Sequence, residues 1–209
     1  MKLQFALDRV DAKTALQMVA RVYDVVDIVE VGTPMILREG MHPVRMIKEK
    51  YPALMVLADT KIIDAGSIES ADAFEAGADI VTVLAFAQDA TIRAVVKTAR
   101  DLGKQVMADM VCVEDVAGRA VELDGMDVDY ICLHTAIDVQ NTGKTPFDEL
   151  ALVKTVVKNA GTVAAGGINF NTISLAKKYN PDIVVVGTAL TGAADIRAAA
   201  QKMIRTIRE

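Results

Sequence analysis

The sequence has few cysteines and no long hydrophobic run, and each shortage excludes a class of protein. Only two cysteines occur among the 209 residues, Cys112 and Cys132, and both stand in apolar, strand-like stretches. We therefore expect two buried free thiols and no disulfide. No apolar run approaches the roughly 18 residues that a membrane-spanning helix needs, so no membrane association is expected. Asp8 stands where a signal peptide would be apolar, which favours a cytoplasmic location.

Basic blocks and linkers are missing as well. The formal net charge is −5, and lysine and arginine are scattered along the chain, which disfavours a nucleic-acid partner. The sequence has no His-x-x-His or Cys-x-x-Cys spacing for zinc. Hydrophobic residues make up 52% of the chain, enough for a large core, and no break in composition divides it. We therefore predict a single domain over residues 1–209.

Short β-branched runs alternate with amphipathic segments along the whole chain. The amphipathic segments, such as 11–23 and 89–103, carry apolar residues at helical spacing. Strict alternation predicts parallel strands joined by right-handed crossovers, and eight such units predict an α/β fold, a (β/α)8 TIM barrel. A doubly wound open sheet is the rival, but no G-x-G-x-x-G follows the first strand. The predicted strands are 3–8, 27–32, 54–61, 79–85, 104–110, 130–135, 162–167 and 182–188.

Polar residues and glycines stand at the carboxyl ends of these strands, where TIM barrels carry their active sites. Each has a structural alternative, such as a helix cap, an ion pair, a core histidine or a tight turn, but their coincidence favours one shared site. Because side chains alternate along a strand, Asp59 and Lys61 are expected to point the same way. The candidates are Asp8, Glu30, Asp59, Lys61, Asp109, His134, Gly166, Gly167, Gly187 and Thr188.

These residue types suit chemistry on a small phosphorylated anion. Glu30 and Asp59 supply hard oxygen ligands of the kind that Mg²⁺ prefers. Lys61 can stabilise an oxyanion or enediolate, and His134 can act as a general acid or base. The glycines after the last two strands let a phosphate approach backbone N–H groups. The residues therefore indicate a Mg²⁺-assisted enzyme acting on a sugar phosphate through an enolate-like intermediate.

The stretch LADTKIID (57–64) carries the Asp-x-Lys-x-x-Asp signature of the orotidine monophosphate decarboxylase suprafamily, which the chain resembles end to end. With VDIVEVGTPMILREG (26–40), LHTAIDVQ (133–140) and AAGGI (164–168), it is most similar to the 3-hexulose-6-phosphate synthases. The 3-keto-L-gulonate-6-phosphate decarboxylases are the next most similar group. The resemblance implies a cofactor, Mg²⁺ or Mn²⁺ in its place, and a 1,2-enediolate of a pentulose 5-phosphate.

The resemblance also implies roles for single residues. Glu30 and Asp59 would bind the metal, and Lys61 would stabilise the enediolate. Asp8 would hydrogen-bond the substrate and orient Lys61. Asp64 would reach the neighbouring subunit's site, so the partner expected is a second copy of this chain in a homodimer with shared active sites. The other implied residues are Asp109 and His134 for catalysis and proton transfer, and Ala165, Gly166, Gly167, Gly187 and Thr188 for substrate and phosphate.

The implied reaction is the reversible aldol condensation of formaldehyde with D-ribulose 5-phosphate to D-arabino-3-hexulose 6-phosphate. In the decarboxylases the positions of Asp109, Ile137 and Ala165 resemble Glu, Arg and Thr, and all three differences favour the synthase. Ala85 and Ala136 replace glycines that are usual in the synthases. The decarboxylase remains one alternative, and a non-catalytic sugar-phosphate-binding barrel is another.

Overall fold

The computed structural model describes residues 1–209, apart from the side chain of Asn141. Its eight parallel strands form a closed barrel in which each strand pairs with the next and the last pairs with the first. The predicted TIM barrel and all eight predicted strands are therefore confirmed. The strands are β1 (Lys2–Leu7), β2 (Ile28–Val31), β3 (Met55–Ile62), β4 (Ile80–Leu84), β5 (Gln105–Asp109), β6 (Tyr130–His134), β7 (Gly161–Ala165) and β8 (Ile183–Val186).

Helices surround the barrel, and their apolar faces explain why they form. In α5, Ile92, Val95, Val96 and Ala99 recur at helical spacing and are buried. None of the helices that the structure describes combines the length and hydropathy of a membrane-spanning segment. The helices are α1 (Ala12–Ala20), α2 (Thr33–Glu39), α3 (His42–Lys50), α4 (Gly66–Glu75), α5 (Asp89–Asp101), α6 (Val116–Asp124), α7 (Phe147–Val156), α8 (Ile173–Tyr179), α9 (Thr188–Thr191) and α10 (Ile196–Arg208), with a 3-10 helix at Ile137–Thr142.

Strand alternation divides the buried residues into two cores. In β1, Leu3, Phe5 and Leu7 face the helices, so Gln4 and Ala6 face the barrel interior. An apolar plug fills that interior below the mouth, and it consists of Ile28, Leu57, Ile80, Met107, Cys132, Val163, Ala165 and Ile183. The charged side chains of the strand ends lie above this plug, which supports them from below.

Four aspartates fasten the amino-terminal end of the barrel. Each stands directly before an even-numbered strand, and its carboxylate accepts the N–H of a residue in the preceding odd-numbered strand. Asp79, for example, accepts from Val56 N at 2.9 Å and donates its own N–H to Val56 O at 2.8 Å. We call these residues the aspartate clamps, and they are Asp27, Asp79, Asp129 and Asp182.

The two thiols have different environments. Cys132 is buried in the apolar plug, as predicted, and burial raises the pKa of its thiol. Cys112 is exposed, so the prediction that it is buried is wrong. It lies beyond the end of β5 with a φ of 64°, and its apolar neighbours belong to a loop rather than to a strand. Both cysteines are free, as predicted.

Candidate active site

Asp59 and Lys61 meet at the end of β3, although simple strand alternation does not bring them together. Lys61 has a φ of 48°, in the left-handed region that an extended strand does not use. The pairing of β3 with β4 shifts between Ala58 and Ile62, which marks an irregularity in the strand. This irregularity reorients the Lys61 side chain over the barrel mouth. The two side chains therefore point the same way, as predicted, but an irregular backbone rather than regular strand alternation brings them together.

The Lys61 ammonium lies between two carboxylates. Its Nζ atom is 2.9 and 2.8 Å from Oδ1 and Oδ2 of Asp59, and 3.0 Å from Oδ2 of Asp109. His134 joins the same group, with Nδ1 2.9 Å from Oδ2 of Asp109. Four charged or titratable groups from β3, β5 and β6 thus form one continuous chain across the mouth.

Two threonines that the sequence analysis did not single out hold Asp59 in place. The hydroxyl of Thr33 donates to Oδ2 of Asp59 at 2.8 Å, and the hydroxyl of Thr82 donates to Oδ1 at 2.8 Å. Thr82 also accepts the backbone N–H of Lys61 at 2.9 Å, so it fixes the irregular backbone beside the ammonium. A hydroxyl residue within the apolar run of β4 was the available sequence signal for Thr82.

The surroundings of Asp109 and Lys61 keep both side chains charged. Burial raises the pKa of Asp109, but the hydrogen bond from His134 and the charges of His134 and Lys61 outweigh it and lower the pKa to about 2. Burial lowers the pKa of Lys61, but Asp59 and Asp109 hold it above its usual value. Because an ionised carboxylate only accepts hydrogen bonds, Nδ1 of His134 carries a hydrogen atom and donates a hydrogen bond to Asp109. Nε2 is then the nitrogen that can exchange a proton with a substrate.

Glu30 is buried beside this group. Its Oε2 accepts a hydrogen bond from Nε2 of Gln4 at 2.6 Å. Burial and then the charge of Asp59 raise the pKa of Glu30 to about 8, so two neighbouring carboxylates repel each other here. A cation would relieve that repulsion. Among the described residues no three metal-binding side chains form a group. The mouth can therefore offer Mg²⁺ two carboxylates, and water and substrate oxygens would complete its coordination.

Asp8 lies at the mouth, at the end of β1. Burial and then the charge of Asp59 raise the pKa of its carboxyl group. Gly32 leaves room for it, because a Cβ atom at position 32 would overlap Oδ1 of Asp8. Lys61 is held by Asp59 and Asp109 rather than by Asp8, so the expectation that Asp8 orients Lys61 is not met in this structure.

The glycines of β7 and β8 lie on the part of the mouth next to Asp8, because β8 pairs with β1. Gly166 and Gly167 have φ values of 93° and 70°, and a Cβ atom on Gly166 would overlap the carbonyl of Thr135, so tight packing explains Gly166. Packing does not require a glycine at position 187, because its φ is −104° and a Cβ atom there would make ordinary contacts. Thr188 is exposed at the start of α9, and Ala165 is buried at the end of β7.

The remaining predicted residues lie around the rim. Asp64 is exposed and accepts only the backbone N–H of Ala65, at 2.7 Å, so within one chain it stays apart from the Lys61 group. Ile137 is 64% exposed. Ala85 is fully buried and donates its N–H to the carbonyl of Asp109 at 2.8 Å, while Ala136 is partly exposed.

Comparison with known proteins gives the family of this chain. Residues 1–203 match the orotidine 5′-phosphate decarboxylase / HUMPS family. The chain belongs to this family. A 3-hexulose-6-phosphate synthase of Bacillus subtilis is 47% identical over 207 residues, which cover 99% of each chain. These findings confirm the suprafamily that the Asp-x-Lys-x-x-Asp signature indicated.

Solved structures of the OMP decarboxylase/HUMPS family superimpose on the whole chain. The crystal structure of 3-hexulose-6-phosphate synthase from Salmonella typhimurium is 42% identical, covers 99% of this chain and 98% of its own, and gives a TM-score of 0.96. A 3-keto-L-gulonate-6-phosphate decarboxylase from Vibrio cholerae is 28% identical, covers 99% and 96%, and gives 0.86. The chain is therefore an enzyme of this family, more similar to the named synthases than to this decarboxylase.

Proposed function

We propose that this chain is a 3-hexulose-6-phosphate synthase, which condenses formaldehyde with D-ribulose 5-phosphate to D-arabino-3-hexulose 6-phosphate, reversibly and with Mg²⁺. The observation that carries the proposal is the chain of contacts from Asp59 through Lys61 and Asp109 to His134. In it the Lys61 ammonium and the His134 imidazole share one carboxylate at the mouth, which supports roles for them in charge stabilisation and proton transfer. The named synthases at 42–47% identity support this particular reaction.

Proton transfer falls to His134 in this proposal. Nε2 takes a proton from C1 of ribulose 5-phosphate. The electron pair of that C–H bond forms the C1=C2 double bond while the π pair of C2=O moves onto the C2 oxygen, which gives the 1,2-enediolate. The C2=O bond then re-forms as the C1=C2 pair attacks the carbon of formaldehyde, whose own C=O π pair moves to its oxygen, and that oxygen takes the proton back. Asp109 keeps the imidazole in the required tautomer and orientation throughout, because it accepts from Nδ1.

Lys61 stabilises the charge that develops on the enediolate oxygen. Its ammonium is preorganised by Asp59 and Asp109, so it needs little rearrangement when the oxygen becomes negative. Glu30 and Asp59 would hold the divalent cation. That ion would neutralise negative charge on the substrate oxygens as a Lewis acid. Asp8, on the same side of the mouth as Gly187, is placed to hydrogen-bond a hydroxyl group of the sugar.

The phosphate would bind on the side of β7 and β8. Gly187 and Thr188 begin α9, and the first N–H groups of a helix have no acceptor within the helix. Gly167 adds a backbone that a ligand can approach closely. Ala165 and Gly166 would complete this side of the site, and Thr188, which is exposed, would offer its hydroxyl group.

The functional unit that we propose is a homodimer with shared sites. Asp64 is exposed and lies among exposed apolar side chains, Ile63 at 47% and Ile68 at 65%. Apolar surface around a carboxylate favours contact with a second copy, and a two-fold axis would carry each Asp64 toward the other mouth.

An assay with ribulose 5-phosphate and formaldehyde tests the proposal. We expect formaldehyde-dependent formation of hexulose 6-phosphate, no turnover in excess chelator, and recovery with Mg²⁺ or Mn²⁺. Full activity in excess chelator would contradict the metal. Release of CO₂ from 3-keto-L-gulonate 6-phosphate, without the aldol reaction, would identify the decarboxylase instead. Binding of ribulose 5-phosphate without either reaction would identify a non-catalytic barrel.

A further inference from the structure

Gln4 is a polar residue in the interior of the barrel at the level where the plug is apolar. It lies on β1 between Ile28 of β2 and Val185 of β8, and only 1% of it is exposed. Burial of an amide is unfavourable unless its hydrogen-bonding groups find partners. The position therefore calls for an explanation other than packing.

The hydrogen bonds of Gln4 satisfy only half of its amide. Nε2 donates to Oε2 of Glu30 at 2.6 Å. Oε1 is fully buried and has no hydrogen-bond partner among the described residues. An unsatisfied buried acceptor costs about 1–3 kcal/mol, which methionine, an unbranched side chain of similar length, would avoid. An apolar side chain would avoid that cost only by leaving Oε2 of Glu30 without its donor, so the amide at this position is explained by Glu30 rather than by packing.

The partner of Gln4 explains its presence. Gln4 occupies Oε2 of Glu30, while no side chain or backbone group of the described residues donates to Oε1. Glu30 as a whole keeps 9% of its surface exposed. The amide thus fixes one oxygen of the carboxylate and leaves the other available.

We propose that Gln4 is a positioning residue for the divalent cation, holding Glu30 so that Oε1 is presented to the ion. The inference rests on the proposed function, because it takes Glu30 as a metal ligand. Carboxylates that bind metals are commonly held by a second hydrogen bond, and its loss typically weakens metal affinity 10–100-fold. The unsatisfied amide oxygen of Gln4 is tolerated because the same side chain orients Glu30.

Replacement of Gln4 by methionine tests the inference in the full-length protein. Mg²⁺ is titrated calorimetrically in the presence of ribulose 5-phosphate, without formaldehyde, and the Tm of the metal-free protein is measured. For Gln4→Met we expect a Kd for Mg²⁺ at least about tenfold weaker. The metal-free Tm shows that the variant is folded, because Oε2 of Glu30 loses its donor in it. The shorter amide of Gln4→Asn should also weaken Mg²⁺ binding, which provides a second variant if the first does not fold.

Gln105→Met is the matched control. Gln105 also faces the barrel interior, from the start of β5, but among the described residues its side chain donates to no carboxylate. Its Kd should stay within about twofold of the wild-type value. A Kd within that range for folded Gln4→Met would overturn the role of Gln4. Wild-type protein that binds no Mg²⁺ would instead overturn the metal in the proposed function.

Discussion

Oδ2 of Asp109 lies 2.9 Å from Nδ1 of His134 and 3.0 Å from Nζ of Lys61. A single buried carboxylate therefore sets the spacing between the Lys61 ammonium and the His134 imidazole. Any substrate atom that contacts Lys61 is held at a fixed offset from Nε2 of His134. The two side chains share Asp109, so a displacement of this carboxylate would weaken both contacts.

Lys61→Ala should lower kcat/KM by at least about 10²-fold, because a preorganised charge at the reacting centre is lost. Initial rates with ribulose 5-phosphate and formaldehyde measure the effect, and circular dichroism checks the fold. Lys48→Ala is the control, since Lys48 also forms a salt bridge, to Asp79, but at the opposite end of the barrel. Its activity should stay within about threefold of wild type. A loss under about threefold for Lys61→Ala would make its ion pairs structural.

Mixed dimers test whether Asp64 serves the opposite subunit. Asp64→Ala and Lys61→Ala homodimers should each be nearly inactive. In a heterodimer of the two, one site receives a wild-type Lys61 from one chain and a wild-type Asp64 from the other. We expect activity to return toward half of the wild-type value per verified heterodimer, measured after purification with two affinity tags. Heterodimers that remain as inactive as their parents would rule out a shared site.

Three positions at the mouth should decide between aldol addition and decarboxylation. Asp109→Glu, Ile137→Arg and Ala165→Thr together introduce the residues that resemble those of the decarboxylases. An arginine at the exposed position 137 can anchor a water molecule that protonates the enediolate. The ratio of the two kcat/KM values should shift toward decarboxylation by at least about tenfold, or about 1.4 kcal/mol. An unchanged ratio in a folded triple variant would mean that other residues choose the reaction.

Asp79→Asn should destabilise the protein in a pH-dependent way. Burial raises the pKa of Asp79, but hydrogen bonds from Lys48 and Lys104 outweigh it and hold the pKa below the ordinary value of 3.8. The carboxylate therefore stabilises the fold above pH 3.8, and this contribution is lost as the pH falls through the lower folded-state pKa. We expect a loss of about 2 kcal/mol at pH 7, typical of charged hydrogen bonds, that shrinks below about pH 4.

Asp72→Asn is the control for this measurement, because Asp72 is an exposed residue of α4. Urea unfolding at several pH values gives the free energy of unfolding for both variants. A constant difference between Asp79→Asn and wild type from pH 7 down to pH 3 would show that the charge of Asp79 does not stabilise the fold.

The sequence allowed the barrel and the position of its site to be predicted because both follow from periodicity. Parallel strands bring their carboxyl ends to one face, so Glu30, Asp59, Asp109 and His134 had to converge once eight strands were recognised. The backbone conformation of Lys61 could not be predicted, since no glycine marks it. The hydroxyl of Thr82 and the threonine after Gly32 stabilise it through contacts that only the closed barrel creates.

Residues whose role depends on a distant partner were missed. Gln4 stands within an apolar run, but nothing in the sequence shows that its amide meets Glu30, 26 positions away. Cys112 was misassigned because its apolar neighbours belong to a loop that follows β5. The aspartate clamps left a visible signal, an aspartate followed by isoleucine or tyrosine and then valine or isoleucine, in four strands. The role of this pattern can be recognised only when the register between neighbouring strands is known, because each aspartate binds a residue of the preceding strand.

The aspartate clamps divide the barrel into four similar modules, and each module is a pair of strands joined by one clamp. Three of the four joints between modules are also alike: Gln105 N donates to Asp79 O, Gly161 N to Asp129 O, and Lys2 N to Asp182 O. The last of these hydrogen bonds joins β8 to β1. The strand pair that closes the barrel is therefore connected in the same way as β4 with β5 and β6 with β7. The pseudo-fourfold arrangement has no privileged first strand. A circular permutation that opens the chain at a module boundary would keep every clamp within its own module.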